Sequence, residues 1–369
     1  MTTVADVAAW LDGFAPPRLA EPWDNVGLIW GDPAAAVAKV MTCLTVTRDT
    51  AQEAAGSGVG LIVSHHPVLF RPAKAVRADR PEGAALWTLA RGGVGVYSPH
   101  TAFDNTAGGI NDGLARRLGL VDVAPLRPGP VQGHLKLVVF TPAEARGPIL
   151  EAAFAAGAGR IGNYEECSYS GPGRGTFFGA TGSKPATGRA GRRESVREWR
   201  VELLCPADRL TKVLAAIRER HPYEEPAIDV YPLHPAADGP GIGRVGRGEP
   251  GQTLDGFAKR VATALGVEAV QVVGDRQRSV GRVAIACGAG DDFVGDAARA
   301  GADVLLTGEA RFHRLLEAEA LGIALVLAGH YATECPGVQD LAGRLATAFP
   351  GLEVWASRRE RDPLAWIAP

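Results

Sequence analysis

The stretch Leu61-Ile62-Val63-Ser64-His65-His66-Pro67 lies at the centre of the predicted fold. Its apolar run predicts a buried strand, and Pro67 prevents that strand from continuing as a regular member of a sheet. Open α/β sheets usually build their ligand sites at the carboxyl ends of their strands. The two adjacent imidazoles therefore stand where a ligand site is expected.

His65 and His66 suit two metal ions better than one. Adjacent residues of an extended segment point to opposite sides, so one ion would not easily take both imidazoles. The alternative is a structural role, in which one histidine packs in a turn and the other is solvated. The histidine pair alone does not decide between these interpretations.

Length, charge and cysteine content exclude several classes of protein. The chain has 369 residues, enough for two or three domains, and a formal net charge of −2. Near-neutral charge gives no reason to expect nucleic acid or an anionic membrane as a partner. The 5 cysteines are scattered without a CxxC pair, unlike a disulfide framework or a zinc ribbon. With neither a signal peptide nor a membrane-spanning apolar run in view, we expect a cytoplasmic protein.

The order of predicted elements divides the chain into three parts. Strands and helices alternate in residues 1–125 and 241–369, which predicts an α/β fold with two lobes of mostly parallel sheet forming one unit. Proline- and glycine-rich linkers at residues 125–130 and 238–241 bound the middle part. Residues 126–240 follow a β-α-β-β-α-β order, which predicts an inserted ferredoxin-like α+β domain.

Two further predicted strands end in an imidazole followed by a carboxylate. His100 and Asp104 follow the strand at residues 94–97, and His330 and Glu334 follow the strand at residues 323–327. Residues four apart face the same side once a helix has begun, so each pair can converge on one ligand. Asp104 could instead brace the turn in which it lies. The recurrence at several strand ends favours a metal site over core packing.

Imidazole and carboxylate ligands suit zinc, iron, manganese, nickel or cobalt. Two such ions bridged by a carboxylate form a hydrolytic centre that polarises an electrophile and activates water. Under this hypothesis the candidate catalytic residues are His100, Glu309 and His313, which would transfer protons or orient the ligands. A local hydrogen bond is the alternative role for each.

The turn Gly288-Ala289-Gly290 follows a predicted strand and precedes a predicted helix. Backbone N–H groups in such a turn can cradle a phosphate. The turn lacks the third glycine of a dinucleotide fingerprint and the lysine of a P-loop. We therefore interpret it as a tight strand-to-helix turn.

Six motifs run in the order of a known family and cover residues 1–125 and 245–369. They are Trp23-Asp24-Asn25-Val26-Gly27-Leu28, Ser64-His65-His66-Pro67, His100-Thr101-Ala102-Phe103-Asp104, Gly108-Gly109-Ile110-Asn111-Asp112, Thr307-Gly308-Glu309 and Gly329-His330-Tyr331-Ala332-Thr333-Glu334. With them the chain resembles the dinuclear metal-centre proteins of the YbgI and YqfO type, often described as type 2 GTP cyclohydrolase I. The middle part, with His221-Pro222-Tyr223-Glu224-Glu225-Pro226, resembles the CutA- or PII-like insert of longer members.

The resemblance implies two divalent metal ions per chain and a ring-shaped homohexamer. It also implies metal-dependent hydrolysis of a nucleotide or a related cyclic amide or phosphoester, as in GTP ring opening, although no motif identifies guanine. The alternative is a non-enzymatic metal-handling, regulatory or scaffold protein. The implied metal ligands, with Glu334 as the bridge, are His65, His66, Asp104, His330 and Glu334.

Overall fold

The structure, a computed structural model, describes residues 1–128, 134–233 and 240–365. The chain divides into two units, Met1–Gly129 with Ala236–Pro369 and Pro130–Pro235. Both predicted α/β lobes therefore belong to one unit, and the insert forms the other. The predicted linkers at residues 125–130 and 238–241 lie partly outside the described residues.

The amino-terminal segment of the first unit alternates helices with strands. Thr3 and Thr47 accept hydrogen bonds from backbone N–H groups in the first turns of two helices, which stabilises the helix starts. The helices are α1 (Val4–Phe14), α2 (Arg48–Ser57), α3 (Pro81–Gly92), α4 (His100–Asn105) and α5 (Ile110–Arg117). The strands are β1 (Gly27–Trp30), β2 (Lys39–Cys43), β3 (Leu61–Ser64), β4 (Gly95–Ser98), β5 (Val121–Ala124) and β6 (Arg127–Pro128).

The second unit has the β-α-β-β-α-β order that the sequence predicts. Its elements are β7 (His134–Thr141), α6 (Arg146–Ala155), β8 (Ser168–Phe178), β9 (Arg193–Pro206), α7 (Leu210–Arg220) and β10 (Ile228–Pro232). The strands form an antiparallel sheet in the order β10-β7-β9-β8. Alternate residues of β7 and β9, such as Leu137 and Val201, share a core with Ile149 of α6 and Ile217 of α7.

The carboxyl-terminal segment returns to the first unit. Its strands are β11 (Gly241–Ile242), β12 (Arg244–Arg247), β13 (Gln271–Val273), β14 (Arg282–Ala286), β15 (Val304–Thr307), β16 (Ala324–Leu327) and β17 (Glu353–Ala356). Its helices are α8 (Leu254–Leu265), α9 (Val294–Arg299), α10 (Phe312–Ala320) and α11 (His330–Ala348). No helix among the described residues combines the length and apolar character needed to cross a membrane.

The first unit contains two larger mixed sheets. One has the order β1-β4-β3-β2-β17, and all its pairs are parallel except β1 with β4. The other has the order β13-β16-β15-β14-β12-β5, and only its two pairs joined by α9 and α10 are parallel. The prediction of mostly parallel sheets is therefore wrong for the second sheet. Parallel pairing requires a crossover connection. β12 and β13 instead add beside this central part in the opposite direction, and β5 pairs antiparallel with β12 at the edge of the sheet.

The two sheets exchange strands. β5 comes from the amino-terminal segment and pairs with β12, whereas β17 comes from the carboxyl-terminal segment and pairs with β2. The sequence-based division into lobes at residues 1–125 and 241–369 does not say which strands pair, and these two pairs cross it. Local patterns predict that a strand exists, but its partner depends on tertiary contacts.

Candidate metal centre

The carboxyl ends of β3 and β16 bring four predicted ligands together. His65 and His66 follow β3 directly, and α11 begins with His330 shortly after β16. Glu334 lies one turn into α11, and its Oε2 is 3.0 Å from Nε2 of His330, as the spacing of four predicts. One ligand atom from each of His66, His330 and Glu334 lies within 4.8 Å of the other two.

The Glu334 carboxylate stands between two groups of side chains. Its Oε1 is 3.8 Å from Nε2 of His65, and Oδ1 of Asp104 is 3.6 Å from the same nitrogen. Its Oε2 is 3.2 Å from Nε2 of His66. We call His65, Asp104 and Oε1 the inner half-site, and His66, His330 and Oε2 the outer half-site.

The two half-sites differ in their exposure to solvent. The side chain of His65 is 0% exposed, whereas those of His66 and His330 are 28% and 34% exposed. Glu334, which serves both half-sites, is 6% exposed. A ligand can therefore approach the outer half-site more easily than the inner one.

Buried atoms without hydrogen-bond partners are concentrated at this centre. Among the described residues they are Nδ1 and Nε2 of His65, Nε2 of His330 and Oε2 of Glu334, with Oε1 of Gln252 elsewhere. The contact between His330 and Glu334 is close but lacks the alignment of a hydrogen bond. Leaving buried polar groups unpaired is costly, so Nε2 of His65, Nε2 of His330 and Oε2 of Glu334 fit a site that a metal ion completes.

Charge states at the centre follow from burial and from neighbouring charges. Burial lowers the pKa of His65 well below its usual value, so this imidazole is neutral. Burial would raise the pKa of Glu334, but contacts with His330 and His66 outweigh it and hold that pKa below its usual range. The Glu334 carboxylate in turn raises the pKa of His330 to about 9.

Asp104 is held from two sides. The Cys287 thiol donates a hydrogen bond of 3.2 Å to its Oδ1, and Asn111 donates to its backbone carbonyl. Burial, together with the charge of Glu334, raises the pKa of Asp104 to about 7. Burial also raises the pKa of the Cys287 thiol well above its usual value, so it acts as a neutral donor.

Two candidate ligand imidazoles have a partner on the ring nitrogen that faces away from Glu334. Nδ1 of His66 shares a hydrogen bond of 2.7 Å with Oγ1 of Thr45. Nδ1 of His330 donates to Oε1 of Glu309 at 2.9 Å. Such partners fix the ring orientation and leave Nε2 for a metal ion. Glu309, predicted to transfer protons or to orient the ligands, lies where it can orient His330.

His100 is held beside the ligands by a buried carboxylate. Its Nδ1 donates to Oδ1 of Asp24 at 2.7 Å, and its ring centre is 5.1 Å from that of His65. Burial would lower the pKa of His100, but the hydrogen bond to Asp24 raises it overall. His100 has a φ of 27°, an uncommon value for a residue other than glycine. His100 can also join His65 and His66 in a group of possible metal ligands.

Two glycines allow the strand ends to approach the ligands closely. Gly288 has a φ of +60°, and a Cβ there would lie 2.1 Å from Oε1 of Glu334. A Cβ at Gly308 would lie 2.7 Å from Cα of His330. The glycine turn after β14 is therefore a tight turn, as interpreted from the sequence, and it makes room for the carboxylate.

His313 is not brought to the centre. Its side chain is exposed at the start of α10, where its ring lies 6.1 Å from that of Phe312. The catalytic role predicted for His313 has no geometric support.

The sequence analysis assigned no role to Asp24, Thr45 or Cys287. Of these, only Asp24 carried a signal, as part of the turn-rich Trp23-Asp24-Asn25 motif.

Comparison with known proteins identifies the family. The family profile described as Duf34/NIF3 (NGG1p interacting factor 3) matches residues 2–363. The chain belongs to the Duf34/NIF3 family. This confirms the resemblance to the YbgI and YqfO type that the motifs predicted.

Relatives of this Duf34/NIF3 member match it over nearly their whole length. A Halalkalibacterium halodurans protein named GTP cyclohydrolase 1 type 2 homolog is 36% identical over 357 residues, which cover 96% of each chain. A Mycobacterium tuberculosis protein of the same name is 39% identical over 350 residues, covering 94% of this chain and 92% of the relative. The crystal structure of a Bacillus cereus protein related to NIF3 matches with a TM-score of 0.73, 33% identity and 99% coverage of both chains.

Two cavities open beside the ligands. One, of about 190 Å³, is lined by Trp23, His100, Asp104, Cys287 and Glu334 among others. The second, of about 500 Å³, is lined by Glu309 and by a carboxyl-terminal stretch that includes residues 359–364. His66 and His330 line both cavities, so the outer half-site can be reached from each.

Proposed function

We propose that this chain binds one divalent metal ion in each half-site and uses the pair to hydrolyse a small-molecule substrate. Glu334 carries the proposal, because its two oxygens face different histidine groups. The unpartnered Nε2 atoms of His65 and His330 support it, since a bound ion would satisfy each of them. Glu334 would help to hold both ions, which would account for both observations.

The donor set suits zinc, iron, manganese, nickel or cobalt, because it consists of imidazoles and carboxylates. Divalent ions held here would act as Lewis acids on an electrophilic carbon or phosphorus and make water nucleophilic at neutral pH. His65, Asp104 and Glu334 would hold one ion, and His66, His330 and Glu334 the other. Glu309 and Thr45 would keep the outer imidazoles in a binding orientation.

His100 is the residue best placed to hold or move a proton at Nε2. Its Nδ1 is occupied by Asp24, which fixes the ring beside both half-sites. Because His100 could also ligate a metal, the His100→Ala variant separates the two roles. Metal content that stays at the wild-type value while turnover falls supports the proton-transfer role, whereas lost metal shows a ligand.

The substrate class in this proposal is a nucleotide or a related cyclic amide or phosphoester. The name that both relatives carry, GTP cyclohydrolase 1 type 2 homolog, supports this class. In GTP ring opening, water adds to a carbon of the purine ring. We also propose that the chain forms a homohexameric ring, is cytoplasmic and carries a CutA- or PII-like insert.

The test combines elemental analysis with a substrate screen on full-length protein purified without chelator. We expect metal-loaded wild type to turn over a nucleotide, phosphoester or cyclic amide, and His65→Ala and Glu334→Ala to lose that activity. Glu353→Gln, at an exposed carboxylate paired with Lys39, is the matched control. A fully metallated protein that is inert across the screen would overturn hydrolysis and favour a metal-handling or regulatory role.

A further inference from the structure

Two large aromatic side chains are exposed beside the metal centre. Trp23 is 60% exposed and Phe70 is 47% exposed. Their ring centres are 5.9 Å apart, so they form a continuous apolar surface, which we call the aromatic wall. Exposed apolar area costs about 25 cal/mol per Å², so a persistent surface of this kind favours a ligand that covers it.

Hydrogen bonds hold the two loops that carry the aromatic wall. Asp24, next to Trp23, accepts from the backbone N–H and the hydroxyl of Thr101 as well as from His100. Asn25 donates from Nδ2 to the carbonyl of Leu69, next to Phe70, at 2.7 Å. Both rings therefore have fixed backbones beneath them and do not lie on free loops. A surface prepared in this way loses little entropy when a ligand binds.

The aromatic wall continues into the smaller cavity of the metal centre. Trp23 and Phe70 lie edge-on to His100, with ring centres 6.1 Å and 6.3 Å away. Trp23 also lines the cavity of about 190 Å³ that contains Asp104 and Glu334. That volume is below the roughly 300–1,000 Å³ usual for drug-sized ligands. The cavity can therefore enclose only the reacting part of a larger substrate, and the rest must lie outside it.

We propose that Trp23 and Phe70 are a stacking site for a planar heteroaromatic ring of the substrate, beside the metal-facing cavity. Aromatic faces attract any planar ring, and the adjacent imidazoles and carboxylates hydrogen-bond to ring heteroatoms. A second protein chain seated on the wall would obstruct this approach to Asp104 and Glu334. The inference rests on the proposed hydrolytic function and adds the part of the substrate that the chain recognises.

Calorimetric titration of the metal-loaded full-length protein tests the wall with defined probes. The probes are GMP, AMP and UMP, with ribose 5-phosphate as the matched molecule without a ring. We expect at least one nucleotide to bind more tightly than ribose 5-phosphate. Trp23→Ala should lower the affinity for that nucleotide about 5- to 150-fold, which is the effect of one lost stacking contact. Phe70→Ala should also lower the affinity for that nucleotide, and Trp23→Phe should keep most of the affinity.

Trp87→Ala is the control, because Trp87 is 47% exposed on α3 and lies outside the aromatic wall. The Trp87→Ala variant should bind every probe with wild-type affinity, and all variants should bind ribose 5-phosphate with the same affinity. Nucleotides that bind no better than ribose 5-phosphate, or unchanged nucleotide affinity in Trp23→Ala, would overturn the stacking site. If Trp23→Ala changed the molar mass measured by light scattering but left nucleotide affinity unchanged, the stacking site would also be overturned. The aromatic wall would then be a contact between copies of the chain.

Metal content measured on the same samples separates the two proposals. Wild type that holds no metal after reconstitution contradicts the dinuclear centre itself. Wild type that holds metal but does not distinguish nucleotides from ribose 5-phosphate contradicts the stacking site alone.

Discussion

The inner and outer half-sites use the same residue type in opposite charge states. His65 is fully buried, its pKa is lowered by burial, and neither ring nitrogen has a hydrogen-bond partner. His330 is partly exposed, lies between Glu309 and Glu334, and has a pKa of about 9. Both half-sites contain buried atoms without partners, but a metal ion must displace a proton from His330 at the outer half-site, whereas His65 at the inner one is already neutral. We therefore expect the inner half-site to bind metal more tightly.

Glu334→Gln should have the largest effect, because both half-sites share this carboxylate. We expect metal content to fall from about two ions per chain to near none. Elemental analysis after dialysis against a weak chelator measures it, with Glu353→Gln as the control. A variant that keeps one tightly bound ion would show that the half-sites are independent.

Gly288→Ala should affect the inner half-site most, although its Cβ would also lie 3.1 Å from Nε2 of His330 in the outer half-site. The added Cβ would lie 2.1 Å from Oε1 of Glu334, and the backbone has a φ of +60°. We expect about one ion per chain to be lost, together with about 1 kcal/mol of stability from the backbone. Gly266→Ala has a similar φ of +66° but nothing within 4 Å, so it isolates the backbone cost. Equal metal content in the two variants would refute a steric effect on Glu334.

Acid pH should weaken the outer half-site first. An imidazole binds metal in its neutral form, and the pKa of His330 is about 9 in the metal-free protein. As the pH falls from about 9 to 7, apparent affinity should drop by about tenfold per unit, since one proton must leave. Asp104, with a pKa of about 7, becomes half protonated only at the lower end of that range, so the inner half-site is weakened later. Titrations in buffers of different ionisation enthalpy count the released protons, and a count near zero at pH 8 would contradict this assignment.

Glu309→Gln should have the smallest effect and should be confined to the outer half-site. Loss of a partner that orients a ligand costs about 10- to 100-fold in metal affinity. Because Glu309 is 61% exposed, we expect a value near the lower end, about tenfold. Chelator competition measures the change, with exposed Glu319→Gln as the control. A loss of inner-site affinity would mean that the two half-sites are coupled through Glu334.

Much of the centre was predictable because its residues are local to strand ends. The spacing of four between His330 and Glu334 gives their convergence once the helix begins at His330. The pair at His65 and His66 follows a strand whose four residues are all buried. Both signals depend on neighbours in sequence and on the direction of parallel strands.

The rest depends on contacts between distant residues. Asp24 meets His100 across 76 positions, and Cys287 meets Asp104 across 183. No local pattern relates such residues, so their roles as partners were not predicted. The pairing of β5 with β12 also depends on distant residues. Val121–Ala124 has no buried face from which a strand could be predicted. His313 shows the opposite error, since a histidine just after a strand can still face solvent.

The short pairing of β6 with β11 has a consequence for the topology of the chain. Pro128, at the end of one segment of the first unit, pairs with Gly241 at the start of the other. The polypeptide therefore leaves and re-enters the first unit at adjacent backbone positions, and the ligand-bearing strands close without any residue from between them. The intervening domain is therefore topologically separable, since its four strands form a sheet of their own and add none to the two sheets that carry the candidate ligands.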